Sequence, residues 1–142
     1  MASGLYALAK QSFLSQSPSI DMDSGVIKLT LIDAADYTVN LTTHQYMNTN
    51  TVAAAAKIGS PQTLSNKTVA LGVFDNTADL TYSAVTGDQF EAAILWLDGG
   101  DGGTTSAGTN DKLICYFELT SPVTPNGGDI VVTPNASGLF AL

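Results

Sequence analysis

The chain has 142 residues, with 13 acidic and five basic side chains and a formal net charge of −8 at pH 7. That length fits one domain able to bury roughly two thirds of its unfolded surface, so folding requires neither a disulfide nor a metal. Five Lys and Arg make no basic patch; this argues against binding nucleic acid or an anionic membrane and favours a neutral or basic protein partner.

Hydrophobic residues make up 44% of the chain and charged residues only 13%, so Thr, Ser, Asn and Gly must fill the surface. That composition suits a β-rich surface or structural protein. The single cysteine rules out an internal disulfide. No apolar run approaches the ~18 residues of a membrane span. Lys10 follows most of the N-terminal apolar residues rather than preceding them, unlike a signal peptide, so a soluble protein made in a cytoplasm is expected.

In chain order, Leu5, Leu8, Ala9 and Phe13 recur at helical spacing behind Ser3, a candidate N-cap. A short helix is expected, ended by 15–18 because Pro18 forbids continuation. Residues 1–19 thus form a helical arm that must dock on its own sheet or on a neighbouring subunit. Residues 21–25 are a turn. Residues 26–32 are a strand, with Ile27, Leu29 and Leu31 on one face and Lys28, Thr30 and Ile32 on the other. The polar segment 37–50 is expected as a structured loop with one helical turn. Residues 52–58 contain four consecutive alanines, yet the run is short and Gly59-Ser60-Pro61 follows at once, so a strand ending there is expected. Further strands are expected at 68–74 and 80–85.

The densest apolar region is 87–132. Two runs around Ile94-Leu95-Trp96 and Leu113-Ile114-Cys115-Tyr116 flank a long Gly/Asp/Thr linker, which predicts a β-hairpin. By period two, Leu113, Cys115, Phe117 and Leu119 share one face, and Ile114, Tyr116 and Glu118 the other. Both faces are apolar, as in central strands covered on both sides. A strand at 130–133 and a short apolar tail, 134–142, complete the chain. The expected fold is mainly β, an antiparallel sandwich or barrel of about seven strands with one N-terminal helix, in a single domain 1–142.

Chemistry-bearing residues are few. His44 stands alone in a polar loop, with no nucleophile elbow, Cys pair or second histidine, and is expected to be a surface or turn residue. Cys115 has apolar neighbours and is expected to be a buried, inert thiol. Glu91 and Glu118 could oppose each other across the hairpin as in a glycosidase, but no aromatic sugar cleft accompanies them. The 98–111 loop offers Asp98, Asp101, Asn110 and Asp111 as candidate calcium ligands, though it fits no known calcium loop pattern; the alternative is a flexible, dispensable loop. Three glycosylation sequons, at Asn40, Asn66 and Asn135, are chance matches in a chain rich in Asn and Thr.

The stretches Leu5-Tyr-Ala-Leu-Ala-Lys-Gln-Ser-Phe-Leu14 and Ile27-Lys-Leu-Thr-Leu-Ile-Asp-Ala-Ala-Asp-Tyr-Thr-Val-Asn40 resemble a family of small tailed-bacteriophage virion structural proteins. So do Leu64-Ser-Asn-Lys-Thr-Val69, Tyr82-Ser-Ala-Val-Thr-Gly-Asp-Gln89 and Pro122-Val-Thr-Pro-Asn-Gly-Gly-Asp-Ile-Val-Val132, in the same order along nearly the whole chain. The Gly/Thr loop after Asp98 is longer here than in that pattern. The resemblance implies a virion structural protein with no enzyme activity and no cofactor. It points to a capsid decoration, or cement, protein on the head exterior, in contact with the major capsid protein or other virion proteins. The alternatives are a tail, neck or fibre component, or, third, a surface carbohydrate-binding module or hydrolase. Leu5, Leu8, Phe13, Leu139, Phe140 and Leu142 lie near the chain ends and are the expected contacts of a homo-oligomer, with a trimer suited to three-fold positions.

Overall fold

The computed structural model describes residues 3–142. The protein is mainly β, with antiparallel pairing and one short helix near the N-terminus. The expected hairpin is its centre. Strands β7 (Phe90–Leu97) and β8 (Lys112–Val123) pair along their length, with Leu95 opposite Cys115. Strand β2 (Ile27–Ile32) lies on the other side of β7, and β3 (Lys57–Thr63) forms the edge beyond it. At the opposite edge, β1 (Gly4–Leu5) pairs with Cys115 and Tyr116.

Both faces of this five-stranded sheet are covered, which explains why its strands are apolar on both sides. On the first face Leu29, Leu31, Ala93, Leu95 and Cys115 meet Phe74, Leu80 and Tyr82. Those three come from two small sheets. One contains β4 (Lys67–Ala70), β5 (Val73–Asn76) and β10 (Phe140–Ala141); the other pairs β6 (Leu80–Tyr82) with β9 (Ile130–Val132). On the second face Ile32, Ala92, Ile94, Trp96 and Tyr116 are covered by Tyr6 and Ala9 of the N-terminal segment and by Tyr37, Val39, Met47 and Val52. Each large side chain buried this way contributes roughly 1.5–3 kcal/mol.

The sheets are open, so the architecture is a layered sandwich rather than a barrel, and the described residues form ten strands instead of about seven. The expected strand 68–74 is two. Leu71 and Gly72 have φ of 52° and 79° and make the tight turn of a β4–β5 hairpin. Two successive positive φ values match the twist of the strands they join, and glycine at the second position permits it. The expected strand at 80–85 stops at Tyr82, where Ala84 turns with φ 49°.

The segment 52–58 also differs. Ala54–Ala56 form a short 3-10 helix, in line with alanine's propensity, and β3 starts only at Lys57. β3 then runs through the Gly59-Ser60-Pro61 sequence that was expected to stop it. Leu29 faces Gln62 and Leu31 faces Ile58, so residues 59–61 bulge outward, and the missing N–H of Pro61 is tolerated on an edge strand. A second bulge breaks the period-two pattern of β8. Leu95 pairs with Cys115 but Trp96 pairs with Leu113, which leaves Ile114 as the extra residue. Leu113 therefore lies on the Trp96 face, and Ile114 joins Cys115 on the other.

Helix α1 (Ala7–Ser15) begins one turn later than expected. Leu5 belongs to β1 rather than to the helix, and the hydroxyl of Ser3 accepts the backbone N–H of Glu118 at 2.7 Å instead of capping α1. The helix ends at Gln16 in the left-handed region, whose N–H returns to the Ser12 carbonyl. No helix among the described residues is long and apolar enough to cross a membrane.

Candidate functional site

The helix and the 33–48 loop place a hydrogen-bonded chain at the edge of the second core. The Tyr6 and Tyr37 hydroxyls lie 2.9 Å apart, and Tyr37 bonds His44 Nδ1 at 2.8 Å. Asn40 makes His44 available: its side chain accepts from Thr42 and Thr43 and its carbonyl from the His44 N–H, which winds 40–44 into the expected single turn. Tyr6 and Tyr37 are buried and His44 is half-buried. Burial pushes the Tyr37 hydroxyl up to about 12 and that of Tyr6 higher still, so both stay protonated, and burial lowers the His44 imidazole below its usual value. With neutral His44 accepting at Nδ1, protons run one way, from Tyr6 to Tyr37 to His44. This chain orders the fold. The sequence concealed it because Tyr6 looks like an ordinary helix residue and Tyr37 lies in a polar loop.

The carboxylate pair is offset. Glu118 stands opposite Ala92, one position beyond Glu91, and the Glu91 carboxylate accepts the Ala34 N–H at 2.9 Å. Both charges contribute to raising the Tyr116 hydroxyl, after burial as the larger cause. Cys115 is buried between the sheets, and burial pushes its thiol up to about 12.

The 98–111 loop is built around Asp111, which is buried. One carboxylate oxygen accepts the N–H groups of Gly99 and Asp101, and the other accepts that of Gly103. Asp98 pairs with Lys28 at 2.6 Å; burial works against its charge, but Lys28 and the N–H groups of Gly100 and Gly102 outweigh this and hold it below the usual carboxylate range. Asp101 accepts from the Asn110 amide at 3.1 Å. Asp98 and Asp111 thus have separate partners, Asp101 and Asn110 pair with each other, and among the described residues no group of three or more His, Cys, Asp or Glu side chains converges on a metal position. The loop is also clasped from outside. Thr49 and Asn50 donate to the Thr105 and Ser106 carbonyls, Asn48 to that of Gly108, and Lys57 to that of Gly103. The loop is thus hydrogen-bonded along its length although most of it is exposed, and glycine at 99, 103 and 108 lets backbone pass where a Cβ would crowd its neighbours.

Four of the terminal apolar residues, Leu5, Phe13, Leu139 and Phe140, find partners inside the chain. Phe13 stacks on Phe140 at 6.3 Å, Phe140 lies 5.4 Å from Phe74, and Leu5 and Leu139 pack against the first core. Leu8 is half-exposed and Leu142 is 71% exposed. Leu14, Val26, Val123 and Val131 are exposed singly, and three further large apolar side chains gather at one end of the molecule. Val69, Leu71 and Leu142 are all exposed there, Leu71 completely, and they adjoin a groove of about 510 Å³ floored by Phe13, Ile20, Met22, Val73, Phe74 and Phe140. Asp21 and Asp23 line the same groove. A second cleft, of about 710 Å³, separates the first sheet face from the 130–139 segment and has no charged lining among the described residues. Neither the comparison with known protein families nor that with curated proteins finds a match to this chain.

Proposed function

We propose that the chain is a structural protein of a tailed-bacteriophage virion, of the capsid-decoration type, which binds the head exterior and stabilises it. The observation that carries this reading is the cluster of exposed Val69, Leu71 and Leu142 around an apolar groove, on a molecule whose central sheet is otherwise covered on both faces. Such a surface suits a protein partner: the major capsid protein or another virion component. The polar residues support a scaffold role rather than catalysis, since Tyr6, Tyr37, His44 and Asp111 direct their hydrogen bonds within the chain. The virion context itself comes from the sequence resemblance. Quantitative mass spectrometry of purified particles, with an electron-microscopy map, tests the proposal. A copy number in step with the capsomers, and density on the head exterior, is expected. A copy number matching the tail or neck favours that alternative location, and absence from the particle overturns the virion reading.

A further inference from the structure

Leu71 combines two unfavourable features. Its φ of 52° lies in the left-handed region, where Gly, Asn and Asp are the usual residues, and its side chain is fully exposed. Asparagine would suit both the backbone and the solvent better. An apolar side chain held out at a strained turn is a sign of function. A groove opens between α1, the 19–23 turn and the β4–β5 hairpin; Val69 and Gly72 of the hairpin line it, and Leu71 projects from the turn between them.

The charges indicate what fills the slot. Among the described residues its only charged lining is Asp21 and Asp23, and the chain carries a net charge of −8. Asp21 is committed locally: it accepts from Asp23 and Ser24, and the Ser24 bonds, then the Asp23 bond and Lys67, hold its carboxyl below the usual range. Asp23 projects from the same exposed turn. A second copy of this chain is a poor cationic partner. It has no arginine, and four of its five lysines are engaged internally: Lys28 with Asp98, Lys57 with Gly103, Lys67 with Gly25 and Lys112 with Asn110. We infer that this groove receives a segment of a different protein, with an apolar anchor packed against Leu71 and flanking Lys or Arg facing the Asp23 rim. The inference shares with the proposed function the reading of this end as a contact surface, and adds the chemistry of the partner.

The purified full chain is titrated by NMR with a synthetic peptide of alternating Lys, Leu and Phe, and with its Glu-for-Lys counterpart. Shifts confined to Met22, Val69, Leu71, Phe140 and Leu142 are expected with the cationic peptide only, weakening as salt rises. Leu71→Asn should weaken binding about tenfold or more while leaving the melting temperature unchanged or raised, since asparagine fits the turn. Asp23→Asn should remove much of the salt dependence. Equal binding of the acidic peptide, shifts spread over the acidic surface, or indifference to Leu71→Asn would each overturn the inference. So would concentration-dependent self-association abolished by Leu71→Asn, which assigns the groove to a second copy. Absence of the protein from virions would sink the proposed function and leave this result untouched.

Discussion

The buried carboxylate of Asp111 accepts the backbone N–H of Gly103, and this bond seats the glycine on the indole of Trp96. Gly103 has φ of 70°, and a Cβ there would fall 3.3 Å from the indole and 3.4 Å from Met47. The loop is therefore a lid on the second core. Asp111→Asn replaces one accepting oxygen by a donor and so orphans either the buried Gly103 N–H or the part-buried N–H groups of Gly99 and Asp101, which costs about 1–3 kcal/mol. A melting temperature lower by roughly 5–15 °C is expected by calorimetry. Replacing 98–111 by a tight Asn-Gly turn should lower it further; a melting temperature within a few degrees of the parent would show that the lid contributes nothing.

The Trp96 indole N–H donates to Thr30 Oγ1 at 2.8 Å, and both residues are fully buried. Thr30→Val keeps the shape and removes the acceptor, leaving a buried donor unpaired. The expected loss is about 1–3 kcal/mol in a denaturant titration, with an unchanged m-value. Thr30→Ser should retain the bond and recover part of that stability. A Thr30→Val protein as stable as the parent would show that the bond is dispensable.

His44 makes stability depend on pH. Burial lowers its folded pKa below the ordinary 6.5, so the unfolded chain binds the proton more readily. Its contribution is fully present above pH 6.5 and is lost as pH falls through the folded pKa. The mechanism is directional: a protonated His44 must donate at Nδ1, which turns Tyr37 from donor to acceptor there and leaves one tyrosine hydroxyl hydrogen of the chain without an acceptor. The melting temperature should fall as pH drops below 6.5, and His44→Gln should flatten that part of the profile. An NMR titration of the imidazole with a midpoint at or above 6.5 would contradict this.

Cys115 should resist thiol reagents in the native protein. It is 3% exposed and its thiol is pushed up to about 12, so little thiolate forms and little of it is reachable. Its reaction with an aromatic disulfide reagent at pH 8 should proceed no faster than the protein unfolds and become immediate in denaturant. Rapid labelling of the folded chain would place the thiol at an accessible surface.

Local pattern was enough to locate the β7–β8 hairpin, the β2 faces and the buried thiol, because apolar alternation and residue type carry that information directly. It failed at Ile114, Pro61 and Leu71. Each is a place where the chain inserts a bulge or a turn without the usual residue, and bulges are set by the register of the neighbouring strand. The acidic surface and the lack of a catalytic motif were visible in composition and spacing. The Asp111 lid, the Tyr6–Tyr37–His44 chain and the exposed end at Leu71 depended on tertiary structure. Hydrogen bonds between residues 31 positions apart, and the docking of the C-terminal strand on β5, exist only once the sheets have packed. The apolar termini alone left open whether they would bury themselves in the chain or in a neighbour. Tertiary structure stacks Phe13 on Phe140 and sets Phe140 against Phe74, while Leu142 stays exposed beside the β4–β5 hairpin because no strand among the described residues lies over it.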